Sequence, residues 1–163
     1  MKIAVFAGSF DPLTKGHEDI VRRALPLFDQ IVVAFGRNST KNYFFPLEER
    51  LHLAKLTFAD CPQVRVDTYQ MLTALYCEQL GAKFLLRGIR NAADFDYENT
   101  IAQLNRLIGQ GVETIFLNTA PQHSYISSTI VREIIKGGQD PSLFLPAPVA
   151  DYLRPRFQSQ NKV

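Results

Sequence analysis

Short apolar runs alternate with amphipathic segments along most of this chain, and that alternation constrains its fold more than any other feature. Lys2 to Ala7 (KIAVFA), Gln30 to Phe35 (QIVVAF), Lys83 to Leu86 (KFLL) and Val112 to Leu117 (VETIFL) each read as a short buried strand, and Val64 to Asp67 as a weaker one. Strands apolar on both faces belong to a parallel sheet covered on each side. Between them, His17 to Phe28 places Ile20, Val21, Ala24, Leu25 and Phe28 on one helical face, with Pro26 as a terminator. Pro46-Leu47-Glu48-Glu49 opens a helix running to about Ala59, with proline at the first position and the acids at the positive end of the dipole. Gln70 to Leu80 reads as a third helix stopped by Gly81, and Asp94 to Ile108 as a fourth, with Phe95, Ile101, Leu104, Leu107 and Ile108 as its apolar set. With right-handed crossovers, this order predicts a doubly wound α/β fold: a Rossmann-like, five-stranded parallel sheet with helices on both faces.

At 163 residues the chain predicts a single domain. Its core spans about residues 2 to 136. A helical extension follows over about 139 to 157, with a last helix near Asp151 to Arg156, and the tail from Gln158 to Val163 is expected to fray. Eighteen basic against 16 acidic residues give a net charge of +2, without the basic excess of a duplex nucleic-acid binder. No stretch approaches the roughly 18 apolar residues of a membrane span, and the first apolar run is too short for a signal peptide. The expectation is a cytoplasmic protein with neither nucleic acid nor membrane as partner. Cys61 and Cys77 form neither a disulfide framework nor a metal pair and read as packed thiols. His17, His52 and His123 are too scattered for metal-ligand spacing, and Ser9 lacks the G-x-S-x-G elbow of a hydrolase.

Open parallel sheets bind ligands beyond the carboxyl ends of their strands. That rule picks out the loops 8–15, 36–45, 87–93 and 118–128. In the first, Gly8-Ser9-Phe10-Asp11-Pro12 precedes Thr14-Lys15-Gly16-His17, a glycine turn entering a helix start that suits an anion, or else an ordinary capped helix. Lys41 lies in a basic loop with Arg37 and Asn38, either a phosphate contact or a solvated surface. Arg87-Gly88-Ile89-Arg90 offers two guanidiniums to a dianionic phosphate, or to Asp94, Asp96 or Glu98 as ion-pair partners. Ser127-Ser128-Thr129 is a hydroxyl-rich helix start that caps a helix to about Lys136 and offers backbone N–H groups and hydroxyls to a second phosphate.

Thr14-x-Gly16-His17 resembles the [HT]-x-G-H signature of the nucleotidyltransferase superfamily, and Ile126-Ser127-Ser128-Thr129 its I-S-S-T signature. Gly8 to Pro12, Leu47-Glu48-Glu49-Arg50, Arg87 to Arg90 and Asp94-Phe95-x-Tyr97-Glu98, in that order and spacing, are similar to the bacterial phosphopantetheine adenylyltransferase family over about residues 3 to 135. The resemblance implies transfer of an adenylyl group from ATP to 4′-phosphopantetheine, giving dephospho-coenzyme A and pyrophosphate. It also implies Mg²⁺ as cofactor, a homohexamer, and coenzyme A as a feedback inhibitor. Carried over by motif, it assigns Ser9, Phe10, His17, Gly88, Ile89, Arg90, Glu98 and the segment His123, Ser124, Tyr125, Ile126, Ser127, Ser128 and Thr129 to ATP. It assigns Ser9, Lys41, Thr73 and Arg87 to the pantetheine substrate, and His17, Lys41, Arg90 and Ser128 to catalysis. The alternatives are a related adenylyl- or cytidylyltransferase acting on another phosphorylated substrate, and a non-catalytic nucleotide-sensing module.

Overall fold

The computed structural model describes residues 1–37 and 40–158. Asn38 and most of the tail expected to fray lie outside them. Five parallel strands, β1 (Ile3–Gly8), β2 (Gln30–Gly36), β3 (Val64–Tyr69), β4 (Phe84–Ile89) and β5 (Glu113–Asn118), form one sheet in the order β3-β2-β1-β4-β5. They alternate with α1 (Lys15–Ala24), α2 (Leu47–Thr57), α3 (Thr73–Leu80) and α4 (Ala92–Ile108), and α5 (Ser128–Lys136) and α6 (Ala147–Gln158) follow. This is the expected doubly wound α/β architecture. The chain winds outward from β1 to β3, then returns to β1's other side to place β4 and β5. The strand order therefore reverses between β1 and β4, where such a sheet leaves a crevice beyond its carboxyl edge.

The apolar alternation is what builds the two layers. Ala4, Phe6, Ile31, Val33, Phe35 and Leu86 pack on one face of the sheet with Ile20, Val21 and Ala24 of α1 and Ala54 of α2. Val5, Ala7, Val32, Ala34 and Leu85 pack on the other with Tyr76 and Cys77 of α3. A third cluster, Phe45, Leu53, Val131, Leu145, Val149 and Leu153, fastens α6 to α2 and α5. Cys61 and Cys77 are free, buried thiols, and burial pushes Cys77 up to about 12.

Several boundaries depart from expectation. The helix read over His17 to Phe28 starts earlier, at Lys15, and stops at Ala24, where Leu25–Leu27 tightens into a 3-10 turn at Pro26. Pro46 is the N-cap of α2 rather than its first residue, and α3 starts at Thr73 rather than Gln70. Gly81 ends α3 at φ 66, the left-handed conformation glycine adopts without penalty. β4 continues past Leu86, so Arg87, Gly88 and Ile89 are strand residues rather than loop, paired with Phe116, Leu117 and Asn118 of β5. The C-terminal helix begins at Ala147, with Pro148 inside its first turn, where a missing N–H is harmless.

Candidate active site

Of the cavities at the carboxyl edge of the sheet, two adjoin and share lining residues. The larger, about 720 Å³, lies on the α3–α4 face and the smaller, about 480 Å³, on the α1–α5 face. Ser9, Lys41, Arg87 and Glu98 line both. The site is thus two chambers sharing a waist of three donors and one carboxylate.

In the smaller chamber His17 occupies the first turn of α1. Thr14 caps that helix, and the two residues form a reciprocal capping box with histidine where glutamate is usual. The Thr14 backbone N–H donates to Nδ1 of His17 at 3.0 Å. With Nδ1 accepting, the ring proton of the neutral imidazole resides on Nε2. Burial, then the charges of Arg87 and Arg90, lower the His17 pKa to about 4. The Phe10 ring meets the imidazole edge-on at 5.1 Å. Phe10 adopts φ 45, and its ring lies so close under Gly8 that a Cβ there would sit 2.9 Å from it.

Arg87 projects from β4 toward α4. Its Nε and one Nη grip both oxygens of Glu98, at 2.8 and 2.5 Å, and its other Nη donates to the Ala7 carbonyl at 2.5 Å. Arg90 is held by Asp94, with Nε 2.9 Å from Oδ2, and its hydrogen bonds keep the Asp94 carboxyl below the usual range. Both arginines therefore have the ion-pair partners that the sequence allowed. Lys41 Nζ donates to Ser9 Oγ at 3.2 Å. Thr73, in the first turn of α3, lines the larger chamber with its hydroxyl 2.8 Å from that of Tyr69.

At the α5 start the two serines divide the work. Ser127 Oγ accepts the Ile130 N–H as the cap, while Ser128 Oγ donates to the Pro12 carbonyl at 2.8 Å, tying this helix to the β1 loop. What remains for a ligand is the first turn's backbone N–H groups other than that of Ile130.

Every residue assigned to the pantetheine substrate lines the larger chamber. Of those assigned to ATP, Ser9, Phe10, His17, Gly88, Arg90, Glu98, Ile126, Ser127, Ser128 and Thr129 line the smaller. Ile89, His123, Ser124 and Tyr125 do not. Ile89 is buried at the end of β4, Ser124 Oγ donates to the Pro121 carbonyl, and Tyr125 is exposed against Phe144. The sequence names Thr14, Asp11 and Arg50 only as members of motifs and gives them no role of their own: Thr14 acts through a capping box closed by histidine, and the contacts of Asp11 and Arg50 join segments more than thirty residues apart.

A family model described as cytidylyltransferase-like matches residues 5–134. A phosphopantetheine adenylyltransferase of Flavobacterium psychrophilum is 52% identical over 149 residues, 91% of this chain and 98% of that protein. One from Cytophaga hutchinsonii is 48% identical over 89% of this chain and 97% of its own length. One from Desulforudis audaxviator is 45% identical over 96% of each.

Proposed function

The chain belongs to the phosphopantetheine adenylyltransferases of the cytidylyltransferase-like family, and from that membership we propose how its two chambers carry out the transfer. It is a nucleotidyltransferase. ATP occupies the smaller chamber and 4′-phosphopantetheine the larger, and their phosphates meet at the waist. The observation that carries this reading is that Ser9, Lys41 and Arg87 border both chambers.

A phosphate monoester has a second pKa near ~6, so at neutral pH it is already largely a dianion and needs no general base. Its oxygen attacks the α-phosphorus of ATP. The bond to the β-phosphate breaks, and pyrophosphate leaves with the electron pair, giving dephospho-coenzyme A. The protein's work is to hold two polyanions in line against their repulsion. Lys41 and Arg87 face the incoming phosphate. Three of Arg87's five N–H groups are committed to Glu98 and Ala7, which fixes the plane of the guanidinium while leaving donors for phosphate. His17 Nε2–H, Arg90 and the N–H groups at the start of α5 face the triphosphate as charge moves onto the leaving group.

Among the described residues no group of three or more His, Cys, Asp or Glu could hold a metal ion, and the nearby carboxylates of Asp94 and Glu98 are engaged by arginines. A Mg²⁺ carried in on the ATP phosphates would need no protein cage and would supply charge neutralisation there. We also propose a homohexamer, for which the exposed Phe95, Leu104, Leu107 and Ile108 of α4 speak. Coenzyme A, which shares the product's arm and nucleotide, would inhibit by filling both chambers. No helix of the described residues is long and apolar enough to cross a membrane, in keeping with a cytoplasmic enzyme.

Pyrophosphate release tests the assignment. The purified protein is offered ATP or CTP with 4′-phosphopantetheine, nicotinamide mononucleotide or glycerol 3-phosphate. Release with ATP and 4′-phosphopantetheine alone is expected. Release with either other acceptor instead would reassign the larger chamber.

A further inference from the structure

We propose that Arg50 is a positioning residue for the transfer: its guanidinium clamps together the two irregular loops that carry Ser9 and Lys41, and so sets the waist between the chambers. The proposal rests on the function given above and assigns a role to a residue that lines neither chamber.

Ser9 lies between β1 and α1, and Lys41 between β2 and α2, both outside regular secondary structure. No strand ladder fixes either position, yet Lys41 Nζ and Ser9 Oγ stand 3.2 Å apart. Something behind them must set that separation. Arg50, in the first turns of α2 and 2% exposed, reaches between the loops. Its Nη1 donates to the Ser9 carbonyl at 2.7 Å and its Nε to the Phe45 carbonyl at 3.0 Å, while the guanidinium carbon lies 3.9 Å from the centre of the Tyr43 ring. One rigid planar group thus touches the β1 loop at Ser9 itself and the Lys41 loop at two further points.

Asp11 makes a second tie across the same gap. Its two oxygens accept the backbone N–H groups of Phe44 and Phe45 at 2.7 and 2.8 Å. Phe45 is therefore held by its N–H from Asp11 and by its C=O from Arg50.

Burying a guanidinium against carbonyl oxygens is costly, and an apolar side chain would fill the space more cheaply. Burial indeed lowers the Arg50 pKa from its ordinary value, partly offset by the field of Asp11. What arginine alone supplies is a fork with fixed angles and a flat face for Tyr43. A lysine ammonium would keep the charge but lose both.

The experiment compares wild type, Arg50→Lys, Lys41→Met and the double variant, with Arg50→Met added if it folds. Amide hydrogen exchange on the free protein reads the clamp independently of any activity. Arg50→Lys should exchange about tenfold faster at residues 9–11 and 41–45, with the sheet unchanged. Steady-state kinetics read its consequence. In Arg50→Lys the KM for 4′-phosphopantetheine should rise about tenfold and that for ATP less than about threefold. Because Arg50 acts through the waist, the double variant should be no worse than Lys41→Met alone. Unchanged exchange in the two loops, parallel rises in both KM values, or multiplicative losses in the double variant would each overturn the proposal. Turnover by the wild type tests the function itself, so the two can fail separately.

Discussion

The backbone N–H of Thr14 donates to Nδ1 of His17 across a single helical turn, at 3.0 Å. This bond makes the signature Thr-x-Gly-His a device for presenting a proton. It occupies the imidazole nitrogen that faces the helix cap and leaves Nε2–H for the chamber. Arg87 and Arg90 add to the burial that holds the ring neutral. A neutral donor stays available to phosphate throughout the physiological range and cannot be lost by titration there.

The pH dependence follows with a definite sign. His17 has a folded-state pKa of about 4, below the ordinary value of 6.5. The unfolded chain therefore binds the extra proton first, and the folded state loses stability as pH falls from about 6.5 through 4. Above 6.5 this contribution is constant, and kcat should show no His17 titration there. Polyanion binding opposes the arginine charges, so ATP should raise the midpoint. NMR titration of the His17 ring, with and without ATP, checks both. A free-enzyme midpoint near 6.5 would remove the argument.

His17→Ala deletes a donor aimed at developing charge while leaving the arginines in place. We expect kcat to fall roughly 10²–10³-fold, as for loss of one oxyanion donor, and ATP affinity to fall less than about tenfold. Rapid-quench turnover beside equilibrium ATP binding separates the two. Equal losses in both would make His17 a binding residue only.

Glu98 sits where the sequence resemblance assigns a nucleotide contact, yet in the structure both its oxygens are on Arg87. Glu98→Gln leaves one oxygen to accept and removes the charge, so Arg87 loses its fixed plane. The expected result is a rise in the KM for 4′-phosphopantetheine of about tenfold, larger than the rise for ATP, with Arg87→Ala showing the same pattern more strongly. A dominant ATP effect in Glu98→Gln would restore the direct nucleotide contact.

Much of this was legible in the sequence because strand ends and glycine turns are local signals. The strand–helix alternation places Ser9, Lys41 and Arg90 on one edge without further information. The sequence predicts a loop at Arg87 because charge and glycine end an apolar run. In the structure the ladder to β5 continues through them: Arg87 lines both chambers, and Gly88 lies so close to Ile20 that a Cβ there would sit 3.0 Å from it. The Thr14 cap was hidden by the histidine at the position where glutamate or glutamine marks a capping box. Arg50 stands in the sequence only as the end of a Leu-Glu-Glu-Arg motif. Its ties to Ser9 and Phe45 join separate segments, and no local pattern encodes them. The sequence offers the Ser128 helix start to phosphate; in the structure Ser128 lines the smaller chamber while its hydroxyl donates to the Pro12 carbonyl, a long-range tie that no local pattern encodes.

The C-terminal extension carries no site motif, but its packing gives it a measurable part. Leu153 of α6 is fully buried with Phe45, Leu53, Val131, Leu145 and Val149. Leu153→Ala removes that contact and leaves a cavity, for a cost of about 2–5 kcal/mol. In a domain of this size each kcal/mol lowers Tm by about 2–4 °C, so a fall of roughly 4–20 °C is expected by calorimetry. Leu143, 77% exposed, is the control, and Leu143→Ala should move Tm by less than about 2 °C. Phe45 belongs to this cluster by its ring and to the Asp11–Arg50 clamp by its backbone. Loosening the ring should therefore raise the KM for 4′-phosphopantetheine in Leu153→Ala at temperatures well below unfolding, while that for ATP stays put. If the KM is unchanged there, α6 supports stability alone and has no hold on the waist.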